Sequence, residues 1–418
     1  MSAPGAAVLP PSPAPAPSRP AGVQWARRIR QISLIAMVVS VMVGAIGLFA
    51  GARQASGLAR ASQDSERVLD VMKLGIALLE ADGAATNAFL VGGLEPVESR
   101  EAYDAAISRA ATLLAQLAVG ADTQQSTIEE LNVNLTTYVG LIEAARVNNR
   151  QGFPVGSAYL EQGSTLLREQ MLPQLDLVLE DAAGDAAGGF AATNWVVLAM
   201  LVMVAALAVL IWCQVQLARM TRRRLNRGLF GMTLAILATL VITQTVAGGA
   251  ATAARDARLS EYRPGLALAQ ATLLASQARS LESLTLIKRG SGHEYEQEFI
   301  DLTDQALAMI MQSHPSHADL LLDWMSAHRD IRELDDAGDW DGALALAVAD
   351  EDGTPSAAFH AFAEAANTTI EDEAQTLRRT LDNGARSAGV TGWTLAGTGV
   401  ISMVLVWRGL AARREESR

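Results

Sequence analysis

The residues best suited to chemistry gather in a few stretches. All five histidines lie in the second half of the chain: His293, His314, His317, His328 and His360. His314-Pro315-Ser316-His317 offers two imidazoles, but no cysteine or third ligand accompanies them. Pro315 suits a helix start, so the pair reads as a tight turn. His328 falls on an apolar seam and reads as a hydrogen-bonded core residue, with pH sensing as the alternative. Asp335, Asp336, Asp339, Asp341, Asp350, Glu351 and Asp352 lack the alternating ligand spacing of a calcium loop and read as a solvated surface. No phosphate-binding glycine loop, zinc signature or nucleophile elbow occurs in the 418 residues. The expectation is a protein that is not an enzyme and needs no cofactor or metal. Cys213 is the single cysteine, so no internal disulfide can form.

Two further stretches carry binding chemistry. One is Thr86–Pro96, with Asn87, Phe89, Gly92, Gly93, Leu94 and Glu95; the other holds Asn149, Arg150, Phe153 and Pro154. Apolar and aromatic side chains beside a glycine pair make a protein-contact surface, with Phe89 and Phe153 as anchors. The alternative is that they plug the end of a helical core. A separate cluster of five arginines, Arg219, Arg222, Arg223, Arg224 and Arg227, sits within Gln214–Gly228. Apolar runs flank it on both sides. Positive charge between two close membrane helices is retained on the cytosolic side, where it can meet a partner or anionic lipid.

The elements that position these residues follow from hydropathy and period. Half of the chain is hydrophobic, and the net charge is −12. Apolar runs at 32–50, 194–213, 229–249 and 390–407 each reach ~30 Å as helices, enough to cross a bilayer. Arg27, Arg28 and Arg30 precede the first and Arg408, Arg413 and Arg414 follow the last, which places both termini inside a plasma membrane. A cleaved signal peptide is the rival for the first run. Residues 1–31 are a Pro-rich disordered cytosolic tail, 214–228 an Arg-rich cytosolic loop and 408–418 a cytosolic tail. The acids concentrate in the two intervening segments, 51–193 and 250–389, both read as extracytoplasmic helical bundles.

The fold class is therefore all-α: four transmembrane helices with two four-helix-bundle sensor domains, as a tandem duplication of span, bundle and span. In the first bundle the seams are Leu69, Met72, Ile76, Leu79; Tyr103, Ile107, Ala110, Leu114, Leu117; and Ile128, Leu131, Leu135, Tyr138, Ile142. Phe299, Leu302, Ala306, Met309 and Leu321, Trp324, His328, Ile331 repeat the pattern in the second, followed by a short helix at Trp340–Val348. The second helix is too short to match the first, so helices one and four should continue together as a two-helix stalk. The same lengths bring Asn87–Pro96 and Arg150–Gly156 to one end. Gly44, Gly47 and Gly51 permit close packing of the first span, and Gln244 should bond to a neighbouring span.

Ala85-Thr86-Asn87-Ala88-Phe89-Leu90-Val91-Gly92-Gly93-Leu94-Glu95-Pro96 and Asn149-Arg150-Gln151-Gly152-Phe153-Pro154-Val155-Gly156 resemble motifs of the GlnX-type actinobacterial membrane sensors. The resemblance implies a relay. A periplasmic amino-acid-binding lipoprotein senses aspartate or glutamate, the four-span protein passes the signal inwards, and a soluble cytosolic Ser/Thr kinase responds. No nucleic acid is involved, and a homodimer is compatible with the layout. The cytosolic segments alone are too short to hold a catalytic core, so output must come from another protein. A direct small-ligand receptor of the chemoreceptor type and a passive envelope scaffold are the other readings.

Overall fold

The computed structural model describes residues 21–91, 95–119, 124–152, 155–191, 195–221, 227–288, 292–349, 351 and 353–415. Nearly all are helical, and no strand occurs among the described residues. The helices are α1 (Ala21–Val91), α2 (Val97–Ala118), α3 (Gln125–Arg150), α4 (Val155–Leu166), α5 (Leu172–Ala191), α6 (Trp195–Thr221), α7 (Arg227–Ala257), α8 (Arg263–Ile287), α9 (His293–Ser313), α10 (Ala318–Asp336), α11 (Trp340–Val348) and α12 (Pro355–Glu415). The chain lacks proline from Ala21 to Glu95, and α1 runs unbroken over 71 residues. Residues 21–31, expected to belong to a disordered tail, are thus helical. Proline at the first position starts α12, where the Thr354 hydroxyl accepts from the Ala357 amide. The short helix expected at Trp340–Val348 is α11, capped by the Asp339 carboxylate.

Single π-helical turns join α4 to α5 (Leu167–Met171) and α7 to α8 (Arg258–Tyr262). Each is followed two residues later by a proline, Pro173 or Pro264. A proline ring removes one backbone donor and crowds the carbonyl four residues earlier, and a π turn relieves both.

Two compact units form. The smaller comprises residues 1–52, 196–246 and 389–418. Its cores are Ile32, Ala36, Leu210, Cys213, Met232 and Ile236, and then Val43, Met203, Ala206 and Leu395. Here α1 and α12 meet through glycine, as the Gly44–Gly51 spacing suggests. A Cβ on Gly399 would lie 2.8 Å from the Ser40 carbonyl oxygen, and one on Gly392 would lie 3.3 Å from the Gly51 Cα. Gln244 does not bond to a neighbour as expected; it is exposed, and the polar contact is made by the Thr239 and Thr398 hydroxyls at 3.0 Å. Among the described residues, three helices contain stretches long and apolar enough to cross a membrane: Arg30–Val91, Phe230–Ile287 and Pro355–Leu405. Met200–Gln216 is a shorter apolar helical stretch.

The larger unit comprises residues 53–195 and 247–388. Its first core draws Leu74, Leu78 and Leu79 from α1, Tyr103, Ala110 and Leu114 from α2, Leu131, Tyr138 and Ile142 from α3, and Leu160 from α4. Its second joins Leu268 and Ala275 of α8, Phe299 and Ile310 of α9, Leu321 and Trp324 of α10 and Phe362 of α12, with Leu69 and Met72 of α1 inserted among them. The two segments therefore share one interior. The expected two-helix stalk is instead four helices: Leu58 and Ala61 of α1 and Phe190 of α5 pack on Ala254 and Ala257 of α7 and Leu377 and Leu381 of α12. Two helices alone would leave this apolar surface in water.

One carboxylate ties the segments together. Asp82 of α1 is fully buried. It accepts hydrogen bonds from the Tyr138 hydroxyl of α3 (3.1 Å), the Ser164 hydroxyl of α4 (2.7 Å) and the Ser280 hydroxyl of α8. Removing the acceptor strands three buried hydroxyls, whereas removing one donor loses a single bond. In thermal unfolding of the purified full chain followed by circular dichroism, Asp82→Ala should cost about 3 kcal/mol and Ser280→Ala about 1 kcal/mol. Equal, small losses would show that the cluster does not hold the segments together.

Candidate functional site

The site is built where α1 and α3 end and α4 begins. Gly152, with φ +72°, ends α3 in the left-handed conformation that glycine adopts freely. Its partner Gly156 lets α4 approach α3: a Cβ there would lie 3.0 Å from the Asn149 nitrogen and 3.1 Å from the Ala145 oxygen. The last carbonyls of a helix lack partners within it, and the Asn149 amide donates to the Phe89 carbonyl of α1 at 3.3 Å. A cavity forms between these ends, lined by Ala88 and Phe89 of α1, by Glu95, by Arg146, Asn149 and Arg150 of α3, and by Leu160 of α4. It leaves about 20 Å³ for the centre of a water molecule, room for one.

Arg146 is the chemical centre of this cavity. It is only 9% exposed, and its guanidinium lies 4.0 Å above the Tyr103 ring. Nη1 donates to Glu143 Oε1 at 2.9 Å. Nη2 lies 2.9 Å from Glu95 Oε1, yet the angle makes no hydrogen bond, and both atoms, with Arg146 Nε, are buried without a hydrogen-bond partner. Glu143 is shared with Arg100, whose Nη2 is 3.1 Å away. Burial raises the pKa of Tyr103, whose hydroxyl makes no hydrogen bond, so the ring stays neutral beneath the cation. A wider groove between α1, α2 and α12 has its charges already matched, Lys73 with Glu371 at 3.7 Å and Arg109 with Glu80.

Among the residues singled out from sequence, Phe89, Glu95, Asn149 and Arg150 line the cavity together. Asn87 does not line it, and its amide oxygen is buried without a hydrogen-bond partner. Phe89 is partly buried and packs against the first core while also lining the cavity. Gly92, Gly93, Leu94, Phe153 and Pro154 lie outside the described residues, as do Arg222, Arg223 and Arg224 of the arginine cluster. Arg219 is exposed near the end of α6, and Arg227 begins α7. Sequence reasoning missed Arg146, although it stands four residues after Ile142 on an otherwise apolar seam. Val91, already within the apolar stretch read from sequence, is exposed, as are Val97 and Val155.

A second charged cluster lies between α8, α9 and α10. His328, 2% exposed, stacks on Phe299 with ring centroids 3.7 Å apart. Its Nδ1 is 2.9 Å from Glu282 and its Nε2 is 3.2 Å from Glu296. Arg279 pairs with Glu282, and Arg332 with Glu296 at 3.3 Å and Asp335 at 2.6 Å. Burial pushes His328 below the ordinary imidazole value, although Glu296 opposes this. Burial works to raise Glu296, but the His328 hydrogen bond and the nearby charges of His328 and Arg332 bring it below the ordinary value. His314 and His317 each fasten α12, through Glu373 at 3.0 Å and Thr369 at 3.1 Å. Among the described residues, no group of three or more His, Cys, Asp or Glu side chains is placed to hold a metal ion.

Residues 57–190 match the profile of a family described as the actinobacterial sensor domain. The matched segment contains every described residue of the Arg146 cavity. This supports a sensing role. No curated protein matches the sequence. No solved structure matches it.

Both shifts in the His328 cluster act on stability in the same sense. A lowered histidine pKa gives stability that is present above the unfolded value of ~6.5 and lost as pH falls towards the folded one. The lowered Glu296 contributes above ~4.5 and loses its contribution below that. Between pH 7 and 5.5 the native chain should therefore lose stability faster than His328→Gln, by up to ~1.4 kcal/mol per pH unit in urea titrations. Parallel slopes would show that His328 does not titrate differently on unfolding.

Proposed function

We propose that the protein is a membrane sensory relay without catalytic activity of its own. In this reading the chain crosses the plasma membrane four times with both termini inside, the shorter apolar stretch of α6 serving as the second span. The larger unit lies outside the cell. Its cavity end, near in sequence to the exposed Val91, Val97 and Val155, meets an amino-acid-binding lipoprotein that carries aspartate or glutamate. The arginine cluster from Arg219 to Arg227 meets a soluble cytosolic kinase.

The observation that carries this reading is the match of 57–190 to a sensor domain whose first helix is not separate from the apolar segment. α1 contains both the apolar stretch beginning near Ile32 and the cavity residues Ala88 and Phe89. A helix of this kind suits transmission by shifts of ~1–2 Å, the scale on which helix-shift switches work. The cluster of arginines offers a cytosolic partner charge that a short loop alone does not need for orientation. Anionic lipid is the competing occupant of that charge.

Cysteine labelling with a membrane-impermeant maleimide tests the topology on which the relay rests. In intact cells, Gly93→Cys and Gly353→Cys should label from outside and Asn226→Cys should not. Labelling of Asn226→Cys without permeabilisation would remove the basis of the proposal.

A further inference from the structure

We infer that the Arg146 cavity is a carboxylate-binding site, in which an incoming carboxylate takes the place of Glu95. The inference deepens the sensory reading above and rests on it, because it names the chemistry that the sensing end accepts. Nε and Nη2 form one edge of the guanidinium, and that edge matches the two oxygens of a carboxylate in a bidentate pair. Both donors of this edge are buried and make no hydrogen bond, while the opposite side of the group is held by Glu143. Glu95 approaches the edge with one oxygen, close enough for charge attraction and wrongly angled for a hydrogen bond. It occupies the place without satisfying it.

The surroundings agree with exchange. Glu95 and Pro96 are non-helical before α2, so Glu95 can leave without unwinding a helix. Its departure would free the volume of a carboxylate next to space for one water. Tyr103 beneath the guanidinium and Glu143 beside it keep Arg146 in position when Glu95 leaves. Arg150 and Asn149 line the same cavity and supply a further positive charge and an amide to whatever carries the carboxylate. The carrier is either a free small acid or an acidic side chain of a docking protein; the chemistry at Arg146 is the same.

Calorimetric titration of the full chain in lipid nanodiscs separates these sources. One arm uses succinate, and the other a short peptide with a single glutamate flanked by glycine and alanine. Glu95→Gln, which removes the competing charge, should tighten whichever probe binds by roughly tenfold. Arg146→Lys keeps the charge but loses the paired edge and should weaken binding by at least about tenfold. Succinate binding with this pattern assigns a free acid; peptide binding with this pattern assigns a docking side chain. If neither probe binds the native chain or Glu95→Gln, or if binding ignores both substitutions, the inference is wrong. Arg146→Lys is read only where its melting temperature matches the native chain, and Glu95→Gln decides the matter where it does not. The topology measured by maleimide labelling is independent of all these outcomes, so the relay can stand if the carboxylate site falls.

Discussion

A buried carboxylate is tolerated only when it is well supplied with donors, and Asp82 obtains its donors from three different helices. That requirement governs the larger unit. Ser280 comes from the second segment of the chain and Tyr138 and Ser164 from the first, so the cluster forms only when the segments pack on each other. The mixed apolar core, with Leu69 and Met72 set among residues of α8 to α12, follows the same pairing. A shift of α1 cannot leave α8 undisturbed, because one carboxylate is bonded into both. In the proposed relay this cluster is the contact through which an event at one end of α1 would be passed to the helices of the second segment.

The cavity uses opposite chemistry a turn or two further along α1. Asp82 is an acceptor with three donors in place, whereas Arg146 is a buried donor whose Nε–Nη2 edge faces Glu95 without a hydrogen bond. Unmatched buried polar groups are rare because each costs free energy, and they collect where a ligand or a change of state satisfies them. The neighbouring charges are arranged to hold Arg146 still. Glu95 itself stands outside any helix. This asymmetry is the reason the end of the first segment is proposed as the place where a signal enters. The His328 cluster, by contrast, surrounds one imidazole with two carboxylates and two guanidinium groups in the interior and reads as structural.

Much of the helical framework was legible because apolar residues at steps of three and four must face a core. Tyr138 and Ile142, Leu321 and Trp324 are buried as their spacing requires. Helix lengths bring Asn87–Pro96 and Arg150–Gly156 to one end, where Arg150 lines one cavity with Phe89 and Glu95 and a Cβ on Gly156 would lie 3.3 Å from the Phe89 ring. The shared interior was not legible. Asp82, next to a glycine, looks like any solvated acid until Ser280, far along the chain, is brought to it. Arg146 looked like a surface residue because periodicity weighs apolar positions and passes over a cation on the same seam. The tail was misjudged at 21–31, since composition there changes before charge does: proline stops at Pro20, and nothing after it opposes a helix.

The central claim is that an event at the outer end reaches the cytosolic loop, and a probe placed there tests it directly. A nitroxide on Asn226→Cys in nanodisc-embedded protein reports local motion by its electron paramagnetic resonance line shape. Adding L-aspartate or L-glutamate together with the amino-acid-binding lipoprotein should change that line shape, and the same additions to a chain carrying Asp82→Ala should change it less. An unaltered spectrum in the native chain, with binding of the lipoprotein verified in the same sample, would contradict the relay.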